Sequence, residues 1–237
     1  MRMKIVSLNV GFPREVTWHG MNVVTGIFKQ PVEGRIALRK LNLDGDRQAD
    51  LTVHGGKDKA VYCYPLSHYE FWKKELPGRD LPMGMFGENF TIDCGEGDSE
   101  FHGNDLPEDS IHIGDRFSVG SAEVVVTQPR LPCYKLGVKF QMNDIVKRFL
   151  ASRRTGFYLP VTREGEVGSG NQLEPIARSQ QDEENATPIS EITRLYVAKH
   201  YSEADVRSIQ RALRVAALPE SWKEYFRERL EMKKLEV

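Results

Sequence analysis

The stretch IHIGDRFSVGSAEVVVT, Ile111–Thr127, breaks into short alternating apolar segments punctuated by the turn sequences GDRF and VGSAE. Alternation with a period of two, bounded by glycine, is the pattern of half-buried strands joined by tight turns. Similar runs lie on both sides: KIVSLNVG, TGIFKQPV, AVYCYP and ENFTI upstream, GFYLPVTREG downstream. From Lys4 to about Val167 the pattern therefore predicts a mainly β fold, a barrel-like or strongly bent sheet. Helices interrupt it. PLSHYEFWKKEL places Tyr69, Trp72 and Leu76 at helical spacing, and NDIVKRFLASR does the same with Ile145, Phe149 and Leu150.

The period changes after the polar stretch ARSQQDEENAT (Ala177–Thr187), read as a linker. TPISEITRLYVAKH offers a cap at Thr187, Pro188 at the first helical position, and Ile192, Leu195 and Tyr196 on one face. SEADVRSIQRAL opens with a capping-box pattern, Ser202-x-x-Asp205, and PESWKEYFRERLEM aligns Trp222, Phe226 and Leu230. Three such helices close a small bundle against one another. The predicted organisation is a β-rich domain over 1–170, then a linker and helical domain over 171–237.

The 237 residues supply a core of ordinary size, 40% apolar and 28% charged. With 33 basic against 34 acidic residues the chain lacks the basic excess of a general nucleic-acid binder. No apolar run approaches the ~20 residues that span a bilayer, and the N-terminal apolar stretch is too short for a signal peptide. The expectation is a cytoplasmic protein with reduced cysteines.

Those cysteines, Cys63, Cys94 and Cys133, form no CxxC pair. Cys63 sits in an apolar, aromatic run and reads as a buried structural thiol; Cys94 precedes a turn and reads as a bystander. Cys133 differs. It follows the run Val124-Val125-Val126 in TQPRLPCYKLG (Thr127–Gly137), between two prolines and Tyr134, with Arg130 and Lys135 on either side. A cysteine set among cations is held partly as thiolate, the form that attacks or ligates metals. Two further loops carry unusual residues. DGDRQADLTVHGGKDKA (Asp44–Ala60) holds His54 beside Gly55-Gly56, where the backbone amides are free to approach a ligand; an ordinary hairpin turn with solvated lysines fits as well. ASRRTGFYLPVTREG places Arg153 and Arg154 after a helix, where they either complement the helix dipole or join Arg130 and Lys135 as an oxoanion site. The chemistries open to such a site are a thiol nucleophile with His54 as base and a soft ligand to a transition metal.

Taken in order, TGIFKQPV, DGDRQADLTVHGGKDKAVYCYP, FGENFTI, IHIGDRFSVGSAEVVVTQPRLPCYKLG and RRTGFYLPVTREGEV resemble the MOSC domain of YiiM-type proteins. The C-terminal helices resemble the small three-α domain that follows it. The resemblance implies that Cys133 ligates molybdenum of a molybdopterin cofactor. It implies that Lys29, His54, Gly55, Gly56, Arg130, Arg153, Arg154 and Thr155 hold that cofactor. It further implies reduction of N-hydroxylated compounds such as 6-N-hydroxylaminopurine or amidoximes, with electrons from a separate flavoprotein reductase. Phe157, Tyr158 or Tyr134 would stack on such a base, and the three-α domain would serve as docking surface or as scaffold. The alternative is a carrier of molybdenum cofactor or sulfur with no turnover of its own.

Overall fold

The computed structural model describes residues 2–49, 55–95 and 106–235. The N-terminal part runs through β1 (Met3–Val10), the hairpin β2 (Arg14–Trp18) and β3 (Met21–Thr25), β4 (Gln30–Val32) and β5 (Arg35–Leu38). Then come β6 (Val61–Pro65), α1 (Leu66–Glu75), β7 (Phe90–Asp93) and the short α2 (Pro107–Ser110). The opening stretch becomes β8 (Arg116–Val119) and β9 (Ala122–Val125), followed by β10 (Gln128–Pro129), α3 (Tyr134–Phe140) and α4 (Ile145–Ser152). β11 (Phe157–Leu159), β12 (Val161–Arg163), β13 (Gly165–Gly168) and β14 (Gln172–Ile176) complete the strands. Four helices follow: α5 (Gln180–Glu184), α6 (Ile189–Val197), α7 (Glu203–Ala212) and α8 (Glu220–Leu235).

Ten strands share one sheet in the order β10-β11-β6-β7-β1-β14-β8-β9-β12, with β4 also on β1. All its pairings are antiparallel except β6 with β7. The two ends of that order belong to the same ribbon. β9 continues through Val126-Thr127 into β10, β11 continues through Pro160 into β12, and the amides of Val125 and Thr127 donate across to Pro160 and Tyr158. The sheet therefore curls back on itself, which is the barrel-like form the alternation predicts.

Gln172–Ile176 is a strand paired with both β1 and β8, so the sheet runs on past residue 170. The polar linker contains the short helix α5, capped where Ser179 Oγ accepts from the Asp182 amide at 3.2 Å. Thr187 is not the cap of α6. It is buried, its carbonyl accepts from Ile113 N, and Pro188 takes the cap position in extended backbone. The Ser202–Asp205 capping box forms as expected, with Ser202 N donating to Asp205 Oδ2 at 2.8 Å.

The helices α6, α7 and α8 pack against one another, through Tyr196 with Trp222 and Tyr225 and through the Arg194–Asp205 ion pair, and they also share the core of the sheet. Ile189, Ile192, Leu195, Ile209, Trp222 and Phe226 join one continuous core with sheet residues such as Ile5, Val119 and Phe157. Each such side chain contributes about 1.5–3 kcal/mol by leaving water, so the helices and sheet stabilise each other. A second, aromatic cluster (Tyr64, Tyr69, Trp72, Phe86, Phe140, Phe149) packs α1, α3 and α4 against β6. No described helix is long and apolar enough to cross a membrane.

Candidate functional site

β10 ends at Pro129, and the next residues carry the chemistry. Arg130 is 6% exposed, and its guanidinium lies over the rings of Tyr62 and Phe149 at 4.9 and 5.3 Å. Its backbone amide donates to Gly156 O at 3.3 Å. Gly156 must be glycine: its φ is +61°, and a Cβ there would stand 2.4 Å from Cys63 O. Arg130 Nη1 is buried and has no hydrogen-bond partner. A buried unpaired guanidinium N–H costs free energy, so the fold holds a donor in reserve. Three residues on, Cys133 is half-buried and immediately precedes α3.

Both side chains line a cavity of ≈ 390 Å³. Five cations reach its wall (Lys29, Arg47, Lys59, Arg130 and Lys135) against one carboxylate, Asp46. Asp46 is already occupied. It accepts from Lys29 Nζ at 2.5 Å, Gly11 N at 2.9 Å and Asn89 Nδ2 at 2.9 Å. Burial lowers the Lys29 pKa and Asp46 pulls it back part of the way. The net character of the cavity is cationic, suited to phosphate or oxoanions.

The loop after β5 closes one side through Gln48. Its Oε1 accepts from Gly56 N at 2.7 Å, while its Nε2 donates to the carbonyls of Leu41 and Lys59 at 2.9 and 3.0 Å. Gly56 takes a left-handed φ of +89°, the freedom expected of Gly55-Gly56. Gly55 and Gly56 are not part of the cavity lining; Gly56 is tied to the lining residues Gln48 and Lys59, donating to Gln48 Oε1 and accepting from Lys59 N. His54 lies outside the described residues.

Arg153, Arg154 and Thr155 do not reach the cavity lining. Arg153 ends α4 in left-handed backbone (φ 57°), which turns its side chain to solvent. Arg154 lies on the Phe71 ring at 3.9 Å and donates to Ser152 O. Thr155 is buried and accepts from Tyr62 Oη at 2.8 Å. The expected gathering of the two loops thus brings in Arg130 and Lys135 and omits the arginine pair. Of the rings expected to stack, Phe157 is core, Tyr134 is exposed outside the lining, and Tyr158 lines the cavity. Burial raises the Tyr62 and Tyr158 phenol pKa values against the pull of Arg130, so both stay neutral. Cys63 and Cys94 are buried, and burial pushes both thiols up, which leaves them inert.

The pattern of residues did not reveal Asp46, Asn89, Gln128 or the C-terminal aromatics as cavity residues. Asn89 carries the clearest overlooked signal, in FGENF: Gly87 has φ +82° and a Cβ there would meet Ile27 Cγ1 at 2.7 Å. That glycine-first turn brings Glu88 into the interior and Asn89 to the cavity wall. Tyr196, Ser221, Trp222 and Tyr225, from α6 and α8, complete the lining.

Comparison with known proteins agrees with this arrangement. The MOSC domain matches residues 50–174, and the YiiM-like, 3-alpha helix domain matches residues 188–232. The chain is 37% identical over 225 residues to the uncharacterized protein YflK of Bacillus subtilis, covering 95% of this chain and 93% of that one. It is 28% identical over 162 residues to a protein named Reductase from Gibberella moniliformis, covering 67% of this chain but 27% of that longer one. The crystal structure of YiiM from Geobacillus stearothermophilus superposes with a TM-score of 0.73 at 32% identity, covering 96% of this chain and 99% of its own. A curled sheet, a single half-buried cysteine at a cationic cavity, and helices sharing its core are thus the form taken here by a member of the MOSC domain family of the YiiM type.

Proposed function

We propose that the cavity holds a molybdenum cofactor and that the protein reduces N-hydroxylated compounds such as hydroxylaminopurine-type bases and amidoximes. The observation that carries this reading is Arg130, a buried guanidinium with an unpartnered Nη1, lining the same cavity as Cys133. An anionic cofactor satisfies that donor. Among the described residues no group of three or more His, Cys, Asp or Glu could hold a bare metal ion. A metal that arrives with its own ligands needs only one soft donor from the chain, and Cys133 is such a donor. Membership of the MOSC family and the relative named Reductase support the same class of chemistry.

Bound there, the molybdenum cofactor supplies two-electron redox chemistry. Cys133 Sγ would be the chain's ligand to the metal. Arg130, Lys29 and Lys135 would bind its phosphate and oxo groups, with Lys29 held in place by Asp46. The reaction R–NHOH + 2 H⁺ + 2 e⁻ → R–NH₂ + H₂O breaks the N–O bond and needs protons at the leaving oxygen. Lys29 Nζ, a cavity-lining cation whose pKa burial lowers, would be the chain's donor of one. The electrons come from a separate flavoprotein reductase, and the protein works in the cytoplasm. The test is reduction of several N-hydroxylated compounds by protein from a cofactor-competent host with a chemical electron donor. Amine product from wild type and none from Cys133→Ser is the expected result. Bound cofactor with no amine product from any compound would leave a cofactor carrier.

A further inference from the structure

The helices contribute a face of the cavity unlike the rest. Four of the five lining cations come from the sheet and its loops and the fifth, Lys135, from α3, whereas the contributions of α6 and α8, Tyr196, Ser221, Trp222 and Tyr225, carry no charge. Three of those four are aromatic. The cavity is therefore two-sided: the cations lie around the sheet, its loops and α3, and the face given by α6 and α8 is uncharged and mainly aromatic.

The aromatic side is rigidly built. Trp222 is 6% exposed, and its Nε1 donates to Gln128 Oε1 at 2.8 Å, which ties α8 to β10. Tyr196 packs against Trp222 and Tyr225 with centroids 5.5 and 5.1 Å away. Tyr225 Oη donates to Tyr196 O at 3.2 Å, so its hydroxyl is spent within the wall. Tyr196 and Tyr225 remain half-buried where they meet the cavity. Aromatic side chains held this way offer ring faces and edges more than hydrogen-bond donors, which suits a flat partner of variable substitution. A cavity of ≈ 390 Å³ falls in the range of small-molecule sites.

We infer that Tyr196, Trp222 and Tyr225 form the subsite for the planar nitrogen heterocycle of the substrate, so that the helical domain sets substrate preference. This rests on the proposed reductase reading for the identity of the substrate, but not for the existence of the subsite. Flat heteroaromatic N-hydroxy compounds bind there better than aliphatic ones, because only the former have a face to stack. A pterin ring shares this chemistry, and the experiment separates the two sources.

The measurement is quenching of tryptophan fluorescence by adenine, a non-reacting planar base, with full-length protein purified with and without cofactor. Saturable quenching is expected in both forms, absent in Trp222→Phe and about tenfold weaker in affinity in Tyr225→Leu, in keeping with loss of one stacked ring. In turnover, Tyr225→Leu raises KM for 6-hydroxylaminopurine about tenfold, leaves KM for acetamidoxime unchanged, and keeps its molybdenum content. Adenine binding that disappears in the cofactor-loaded form would assign the wall to the pterin and overturn the inference. So would binding indifferent to Tyr225→Leu. If the reduction itself fails while adenine still quenches Trp222, the subsite stands and only the reductase reading falls.

Discussion

Arg130 buries a guanidinium with one N–H unpaired, an arrangement that folding alone does not favour. Replacing a buried large side chain ordinarily destabilises by several kcal/mol. Here the lost ring contacts with Tyr62 and Phe149 are offset by relief of the unpaired group, so Arg130→Met should change unfolding free energy by less than about 1 kcal/mol. The same substitution should weaken cofactor or phosphate binding about ten- to a hundredfold, since a hydrogen bond to a charged group is worth about 1.5–3 kcal/mol. Urea unfolding and isothermal titration with phosphate check the two halves. Cys133→Ser should leave the melting temperature unchanged and abolish reduction, whereas Cys63→Ser, fully buried on β6, should cost about 1–3 kcal/mol with activity kept in the folded fraction. Cys133 and Arg130 were legible as cavity residues because unusual residue types cluster in a short proline-bounded loop, whereas Lys29 entered only through the family resemblance. Arg153 and Arg154 misled for a definite reason. Arg153 ends α4 in left-handed backbone and is exposed, Arg154 lies on Phe71, and nothing in Arg-Arg-Thr-Gly announces that a non-glycine will adopt that conformation.

At the scale of elements, the short apolar runs located β1, β4, β6, β7, β8, β9, β11 and β12, while the β2–β3 hairpin, β5, β13 and β14 went unread. Their burial shows why. β2 has no buried residue and β3 exposes three of its five, so neither writes a clean apolar pattern. β14 carries Pro175 and exposes three positions. Glu88 governs the turn before β7. It accepts from Tyr69 Oη, Gly84 N at 2.8 Å, Phe86 N at 3.1 Å and Thr91 Oγ1 at 2.9 Å, and burial raises its pKa. Glu88→Gln turns an amide NH₂ toward donors and should destabilise by about 2 kcal/mol or more in urea unfolding. At α7, hydrogen bonds from Ser202, then Arg194, lower the Asp205 pKa from 3.8 to about 2. A carboxylate depressed on folding stabilises above its unfolded value and loses that contribution as pH falls. Melting temperature should therefore drop between about pH 4 and pH 2, and Asp205→Asn should flatten that slope, as followed by circular dichroism.

Over the whole molecule, the change of hydrophobic period at residue 188 marks where the last three helices begin, and these helices share the core of the sheet. Periodicity records which residues of a helix are buried and says nothing of what buries them. Val215, Leu218, Trp222 and Phe226 sit in the same core as β1, β8 and β11, and the buried Trp222–Gln128 hydrogen bond crosses between helix and sheet. Calorimetry should show one unfolding transition for the full chain, and removal of residues 188–237 should leave a sheet that does not fold, because the core loses one wall. The shared core also explains why both parts line one cavity. Metal and pterin analysis of the protein purified from a cofactor-competent host decides whether this cavity, with Cys133 and the unpaired Nη1 of Arg130, holds a molybdenum cofactor as proposed. Molybdenum and pterin close to one each per chain in wild type, with both much reduced in Arg130→Met and molybdenum lost from Cys133→Ser, is the predicted result. Wild-type protein free of molybdenum and pterin, or variants that retain both at the wild-type level, would contradict it.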